Sequence, residues 1–199
     1  EITAATLQVL REVDRLLKLD LSFEEATIGL AALKAHGTTL PDASYEAAKR
    51  ADGVILGPVS HNAYPPADKG GINPSGTLRK RLDLYANVRP ARTRPAMPPR
   101  CGRPVDLVVM RENTEGFYAD RNMHVGPGDI MVTPDVAIPI RKITREGSSR
   151  IAEAAFRLAM TRRKKVCVVH KANVFRVSDG FFLECTRAVA ARYPQVEVE

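Results

Sequence analysis

The stretch PDASYEAAKRADGVILGPVS, residues 41–60, decides the fold class. Pro41-Asp42 opens a helix that runs through Arg50, and Gly53-Val54-Ile55-Leu56-Gly57 follows as a short apolar run bounded by glycines. An apolar run of this kind is the pattern of a strand buried on both faces of a parallel sheet. Helices that alternate with such strands belong to layered α/β folds. Upstream, Leu7, Leu10, Val13, Leu16 and Leu17 recur at helical spacing within residues 3–18. Leu21, Phe23 and Glu25 alternate with polar neighbours as a short strand would, and Ile28 to Lys34 reads as a helix ended by Gly37.

Downstream lies a loop from Pro58 to Pro74, rich in Gly, Pro, Asn and Asp. Long loops in compact domains tend to be functional, and ligands of open α/β sheets sit at strand carboxyl ends. Its Gly70-Gly71 pair reads as a flexible turn rather than a phosphate cradle. Pro74 or Ser75 opens a helix with Leu78, Leu82 and Tyr85 on one face and Arg79 beside it. The proline-rich residues 94–104 form a surface connection, and Val105 to Met110 is a second buried strand with Arg111 at its carboxyl end. Residues 119–133 read as an irregular arm or hairpin, and Val136 to Ile143 as a strand. Thr144 caps a helix to about Thr161 with Ile151, Ala154, Ala155 and Leu158 inward. Val166 to Val169 is a third buried strand, and Ser178 caps a last helix through Tyr193. The expected architecture is α/β with two lobes, residues 1–91 and 92–199, the second carrying a dimer-forming arm.

The 199 residues are 44% hydrophobic and 27% charged, ordinary for a globular protein. No apolar run reaches the ~18 residues that span a bilayer, so no membrane role is expected. Cys101, Cys167 and Cys185 are widely spaced, which argues against zinc and disulfide frameworks and makes a reducing cytoplasm the default. The net charge of +7 is concentrated between Arg79 and Arg111, with nine basic residues against two acidic ones. No interleaved aromatics accompany that stretch, so a small anion fits it better than nucleic acid.

Arg79, Arg89 and Arg111 stand on consecutive expected elements, and Tyr118 follows them. A guanidinium is a permanently charged planar fork that matches a carboxylate. Three forks and a phenol suit a small polycarboxylate that must receive one proton.

The strings Leu78 to Pro90 (LRKRLDLYANVRP), Arg111 to Tyr118 (RENTEGFY) and His170 to Val174 (HKANV) together resemble the β-decarboxylating dehydrogenases. That family includes isocitrate, 3-isopropylmalate, homoisocitrate and tartrate dehydrogenases, and the resemblance implies the isopropylmalate dehydrogenase-like fold. It also implies that Arg79, Arg89 and Arg111 clamp malate-type carboxylates, that Tyr118 protonates the enol left by carbon dioxide, and that Lys171 helps take the hydroxyl proton across a homodimer. Asn173 is similar to a residue beside that lysine near substrate and nicotinamide. NAD is the implied cofactor, ahead of NADP, with Mg²⁺ or Mn²⁺.

The family's opening strand with Gly-Asp-Gly-Ile-Gly-Pro-Glu is represented here by Glu1 alone, and its metal-binding aspartates and adenosine-binding loop are not in these residues. The chain is therefore expected to be a fragment that holds the substrate clamp and acid-base pair but neither a complete metal site nor a complete cofactor site. The chemistry is coherent without the name. Oxidising a 2-hydroxy acid needs a base and a hydride acceptor, and the 3-carboxy-2-ketone then loses carbon dioxide when a cation polarises the ketone. A phenol near pKa ~10 and an ordinary lysine suit these proton transfers only when neighbouring charge or burial tunes them.

Substrate choice in the family rests on the residues just before Arg79. Here they are Asn73-Pro74-Ser75-Gly76-Thr77, polar and small. Asn73 and Ser75 favour a polar 3-substituent of the isocitrate or homoisocitrate type. 3-Isopropylmalate is the alternative substrate, and a non-catalytic fragment or scaffold is the alternative of another class.

Overall fold

The computed structural model describes residues 2–118, 123–126 and 128–199. The chain divides into two compact units, Glu1–Leu82 and Asp83–Glu199. The sequence-based boundary at residue 91 falls inside a strand, Ala86–Arg92, whose ladder to its partner holds it in the second unit. Glu1, residues 119–122 and Pro127, which include part of the expected arm, lie outside the described residues.

The first unit carries α1 (Ile2–Leu17), α2 (Gly29–His36), α3 (Asp42–Arg50) and α4 (Pro74–Arg81). Gly37 ends α2 at φ 72°, where only glycine is unstrained, and its N–H reaches the Leu33 carbonyl. Leu40, Tyr45 and Leu78 form a buried cluster with Ile28, Ala48 and Leu82 against it. Thr39 is wholly buried and fastens the long loop: its N–H bonds the Gly70 carbonyl, and its hydroxyl accepts from the Ile72 N–H at 2.8 Å. The Gly70-Gly71 pair is a place of close packing rather than a flexible turn. A Cβ at Gly71 would stand 1.6 Å from the Pro65 carbonyl oxygen.

Leu21 to Glu25 and Gly53 to Gly57 are not strands. Val54 and Ile55 are about half exposed, and no partner strand pairs with either segment among the described residues. A strand exists only through bonds to a neighbour, whereas a helix closes its own.

In the second unit β1 (Ala86–Arg92) pairs with β2 (Asp106–Glu112) in an antiparallel ladder. The expected buried parallel strand over Val105 to Met110 is thus an antiparallel one with exposed positions. Pro90 is tolerated in β1 because, among the described residues, no third strand pairs with this ladder. The hairpin β3 (Asp129–Thr133) and β4 (Val136–Pro139) follows. β4 is shorter than the expected Val136 to Ile143, because Lys142 leaves it to bridge Gly116.

α5 (Arg145–Met160) packs on α6 (Ser178–Ala190), and β5 (Lys165–Val166) pairs in parallel with β6 (Glu197–Val198). Thr144 caps α5 as expected, accepting from the Gly147 N–H. The inward face is Ser148, Ile151, Ala152, Phe156 and Ala159; Ala154, Ala155 and Leu158 are only half-buried. Phe156 sets that phase by filling the core with Val189 and Val196 and stacking on Tyr193 at 5.4 Å. Of Val166 to Val169 only Val166 is strand, alongside Lys165 in the short β5, and Val169 is 86% exposed.

Glu153 anchors this core from its rim. Its carboxylate accepts from the Tyr193 hydroxyl, from Arg157 at 2.9 Å and from Arg192 at 2.5 Å. The Tyr193 bond is the main cause holding its carboxyl below the ordinary value; burial opposes, and the two arginines assist. A carboxyl depressed on folding adds stability above its unfolded pKa, and this is lost as pH falls through the lowered folded value. The melting-temperature gap between the unaltered protein and Glu153→Gln should therefore be wide at pH 7 and close towards pH 3, as read by circular dichroism.

Candidate functional site

The β1–β2 register places the first group of expected residues. Arg89 stands opposite Val109, and Asn87 opposite Arg111. Side chains alternate along a strand, so Asn87, Arg89 and Arg111 share one face, with the two arginines diagonal neighbours about 7–8 Å apart at the backbone. The Arg89 Nε donates to Asn87 Oδ1 at 2.9 Å, and Asn87 Nδ2 reaches Asn113 Oδ1 at 3.5 Å. Asn113 is buried and its amide donates to the Leu84 carbonyl at 3.2 Å, anchoring the chain to its backbone.

Beyond β2 the strand end is folded back by its own carboxylates. Glu112 accepts from the Thr114 N–H at 2.8 Å, the Thr114 hydroxyl at 2.6 Å and the Glu115 N–H at 2.6 Å. Arg150 of α5 lies 3.4 Å from Glu112, donates to Thr114 Oγ1 and Asp83, and covers the Tyr85 ring. Glu115 accepts from the Thr144 N–H at 3.0 Å and its hydroxyl at 2.6 Å. Gly147 keeps room for that carboxylate, since a Cβ there would stand 2.5 Å from Glu115 Oε2. Gly116, at φ 84°, exchanges backbone bonds with Lys142 and sets the exit of the turn. Tyr118 then comes back to Arg111, whose Nη2 donates to the phenol oxygen at 2.5 Å. In that arrangement the oxygen is the acceptor and the phenol hydrogen is a donor.

Lys171 and Asn173 lie in a second part of this unit, on the exposed turn that follows β5. The Lys171 carbonyl accepts from the N–H groups of Val174 at 3.0 Å and Phe175 at 2.8 Å, and His170 Nδ1 accepts from the Ala172 N–H at 3.0 Å. The Lys171 N–H donates to Asp179 Oδ2 at 2.6 Å, and Arg141 pairs with the other oxygen of that carboxylate. Burial opposes ionisation of Asp179 most strongly, but the Lys171 N–H, Arg141 and His170 outweigh it and hold the carboxyl below its ordinary value.

Arg79, Asn73 and Ser75 belong to the first unit. Asn73 caps α4, its Oδ1 accepting from the Gly76 N–H at 3.2 Å, and Pro74 at the first helical position lacks only a donor that the helix does not use. One turn separates Ser75 from Arg79, and the guanidinium donates to the hydroxyl at 2.8 Å. Both polar residues before Arg79 are thus held by local bonds that shape and orient this helix.

The expected residues therefore fall in three groups: Arg89, Arg111 and Tyr118 joined through one ladder face; Lys171 and Asn173 on one turn; and Asn73, Ser75 and Arg79 on one helix. Asn87, Asn113, Glu112, Glu115 and Asp179 join these groups without being marked out as site residues by the sequence. The period of two that pairs Asn87 with Arg89 was the available signal for the first. Among the described residues, no three His, Cys, Asp or Glu side chains converge as metal ligands, and no helix is long and apolar enough to cross a membrane.

The family model described as isocitrate/isopropylmalate dehydrogenase matches residues 1–199. The chain belongs to the isocitrate/isopropylmalate dehydrogenase family. It is 38% identical over 199 residues to a 3-isopropylmalate dehydrogenase of Methanothermobacter thermautotrophicus, covering 99% of this chain and 54% of that relative. It is 39% identical over 183 residues to an isocitrate/homoisocitrate dehydrogenase of Thermus thermophilus, covering 91% of this chain and 51% of that one. A solved isocitrate dehydrogenase from Methylococcus capsulatus superposes with a TM-score of 0.73 at 35% identity, over 91% of this chain and 51% of that chain. The chain thus spans about half the length of these members of the family and shares their α/β isopropylmalate dehydrogenase-like fold.

Within this family member the Glu115 bonds are the structural hinge of the RENTEGFY string. Glu115→Ala should cost about 1.5–3 kcal/mol, the range for hydrogen bonds to a charged group. Urea denaturation with an unchanged slope and a lowered midpoint is the expected reading.

Proposed function

We propose that this chain supplies the carboxylate clamp and proton-transfer groups of an NAD-dependent enzyme that oxidises and decarboxylates a 3-substituted malate. The observation that carries this reading is the ladder face bearing Arg89 and Arg111, with Tyr118 bonded to Arg111. The nearby carboxylates are engaged elsewhere, Glu112 with Arg150 and Glu115 with Thr144, so they do not neutralise that face. Two guanidinium groups at this spacing suit two carboxylates of one small molecule.

Arg79, oriented by Ser75, is the third clamp residue in this proposal. Lys171 takes the hydroxyl proton, working with a second copy of the chain in a homodimer. NAD, when bound, would accept the hydride from carbon 2, and Tyr118 returns a proton to carbon 3 of the enol left when carbon dioxide departs. Asn173 would help hold the nicotinamide. Mg²⁺ or Mn²⁺ would supply Lewis-acid polarisation of the ketone. The described residues do not assemble its ligands, and the roles assigned here are those of the chain's own side chains.

A polar substituent, as in isocitrate or homoisocitrate, is favoured by the small polar run from Asn73 to Thr77. The second reading is 3-isopropylmalate. It is favoured by the Methanothermobacter relative of that name, which matches 99% of this chain. The polypeptide is proposed to act in the cytoplasm.

Steady-state kinetics on the complete polypeptide encoded by its gene test the clamp. A hydrogen bond to a charged group is worth about 1.5–3 kcal/mol, so Arg89→Ala or Arg111→Ala should lower kcat/KM at least about ten-fold. The ratio of kcat/KM for isocitrate, homoisocitrate and 3-isopropylmalate then assigns the substituent. Unchanged efficiency in both variants would make the arginines structural and favour a scaffold.

A further inference from the structure

We infer that Asp179 is the positioning residue for Lys171. This rests on the reading of Lys171 as the proton-transfer lysine, but it is drawn from bonds that the reading does not use. Asp179 is a carboxylate only 5% exposed, in the first turn of α6. One oxygen accepts the Lys171 N–H at 2.6 Å, and the other is paired with Arg141. A buried carboxylate of this kind is tolerated only where both oxygens are satisfied.

Its partners come from two different places in the chain. Arg141 precedes α5, and Lys171 heads the turn after β5. Arg111, Arg141 and Asp179 also line one cavity of about 330 Å³, so the carboxylate ties the turn that carries Lys171 to the body of this unit. The helix terminus alone would favour an acid here, yet it does not require the bond to Lys171. That bond fixes the point from which the lysine side chain departs, and a displacement of about 1 Å at such a point can cost on the order of 100-fold in rate.

The complete polypeptide distinguishes the two layers of the claim. Lys171→Ala with unchanged turnover would overturn the catalytic reading of the lysine, and this inference with it. If Lys171→Ala is impaired, Asp179→Asn should lower kcat about 10- to 100-fold with KM for the hydroxy acid nearly constant. The same substitution added to Lys171→Ala should then cost nothing further, and Asp179→Glu should recover part of the loss. An equal loss in both backgrounds, or no loss in either, would overturn the proposal. Amide hydrogen exchange of the unaltered protein gives a second measurement that does not depend on a variant folding. The Lys171 amide should exchange slowly for an exposed turn, and exchange at the rate of an open loop amide would overturn the assignment.

Discussion

Glu112 and Glu115 bind the end of β2 to the start of α5, and the arrangement of the second unit depends on that tie. Their four oxygens accept from Thr114, Thr144, the Glu115 N–H and Arg150. Arg150 in turn reaches Asp83 and Tyr85, at the point where this unit begins. The pairs are partly buried, so breaking one partner leaves an unsatisfied charge rather than merely losing a contact. The tie also explains why Arg111 and Tyr118, seven residues apart, meet. Between them the chain is closed into a turn by carboxylates and released at Gly116.

This division of labour separates structure from chemistry inside one short string. Alternation along β2 sends Arg111 to one face and Glu112 to the other. The acid therefore serves α5 while the Arg111 guanidinium shares the other face with Arg89, its diagonal neighbour across the ladder. Had the two pointed the same way, they would neutralise each other and leave no charge for an anion. The same logic recurs at Lys171, where the backbone N–H is held by a buried acid and the side chain is exposed.

The helices were legible in the sequence because each makes its own hydrogen bonds. Gly37, Pro41 and Thr144 mark real ends, whereas Ser178 is not a cap: the last helix starts at Ser178 itself, with Val177 at the cap position and no side-chain bond, and ends at Ala190 rather than Tyr193. Strands were legible only where a partner exists. Val105 to Met110 found one in Ala86 to Arg92, which the sequence had presented as part of a binding motif rather than as a strand. Gly53 to Gly57 had the right composition and no partner among the described residues. Of the site, charge and spacing picked out Arg89, Arg111 and Tyr118. Supporting residues such as Asp179 escaped because a buried acid looks like any surface acid until its donors are seen.

The proposed function requires that Tyr118 deliver a proton from the clamp face. Replacing Tyr118 with Phe in the complete polypeptide keeps the ring and removes the hydroxyl. The direct measurement is solvent exchange of the carbon-3 proton of the 2-keto product, followed by NMR with no turnover of the hydroxy acid required. The variant should bind the keto acid and lose about 10²–10⁴-fold in exchange rate, the usual contribution of a general acid. Exchange at the unaltered rate, together with normal turnover, would show that another group is the acid and that Tyr118 only packs against Arg111.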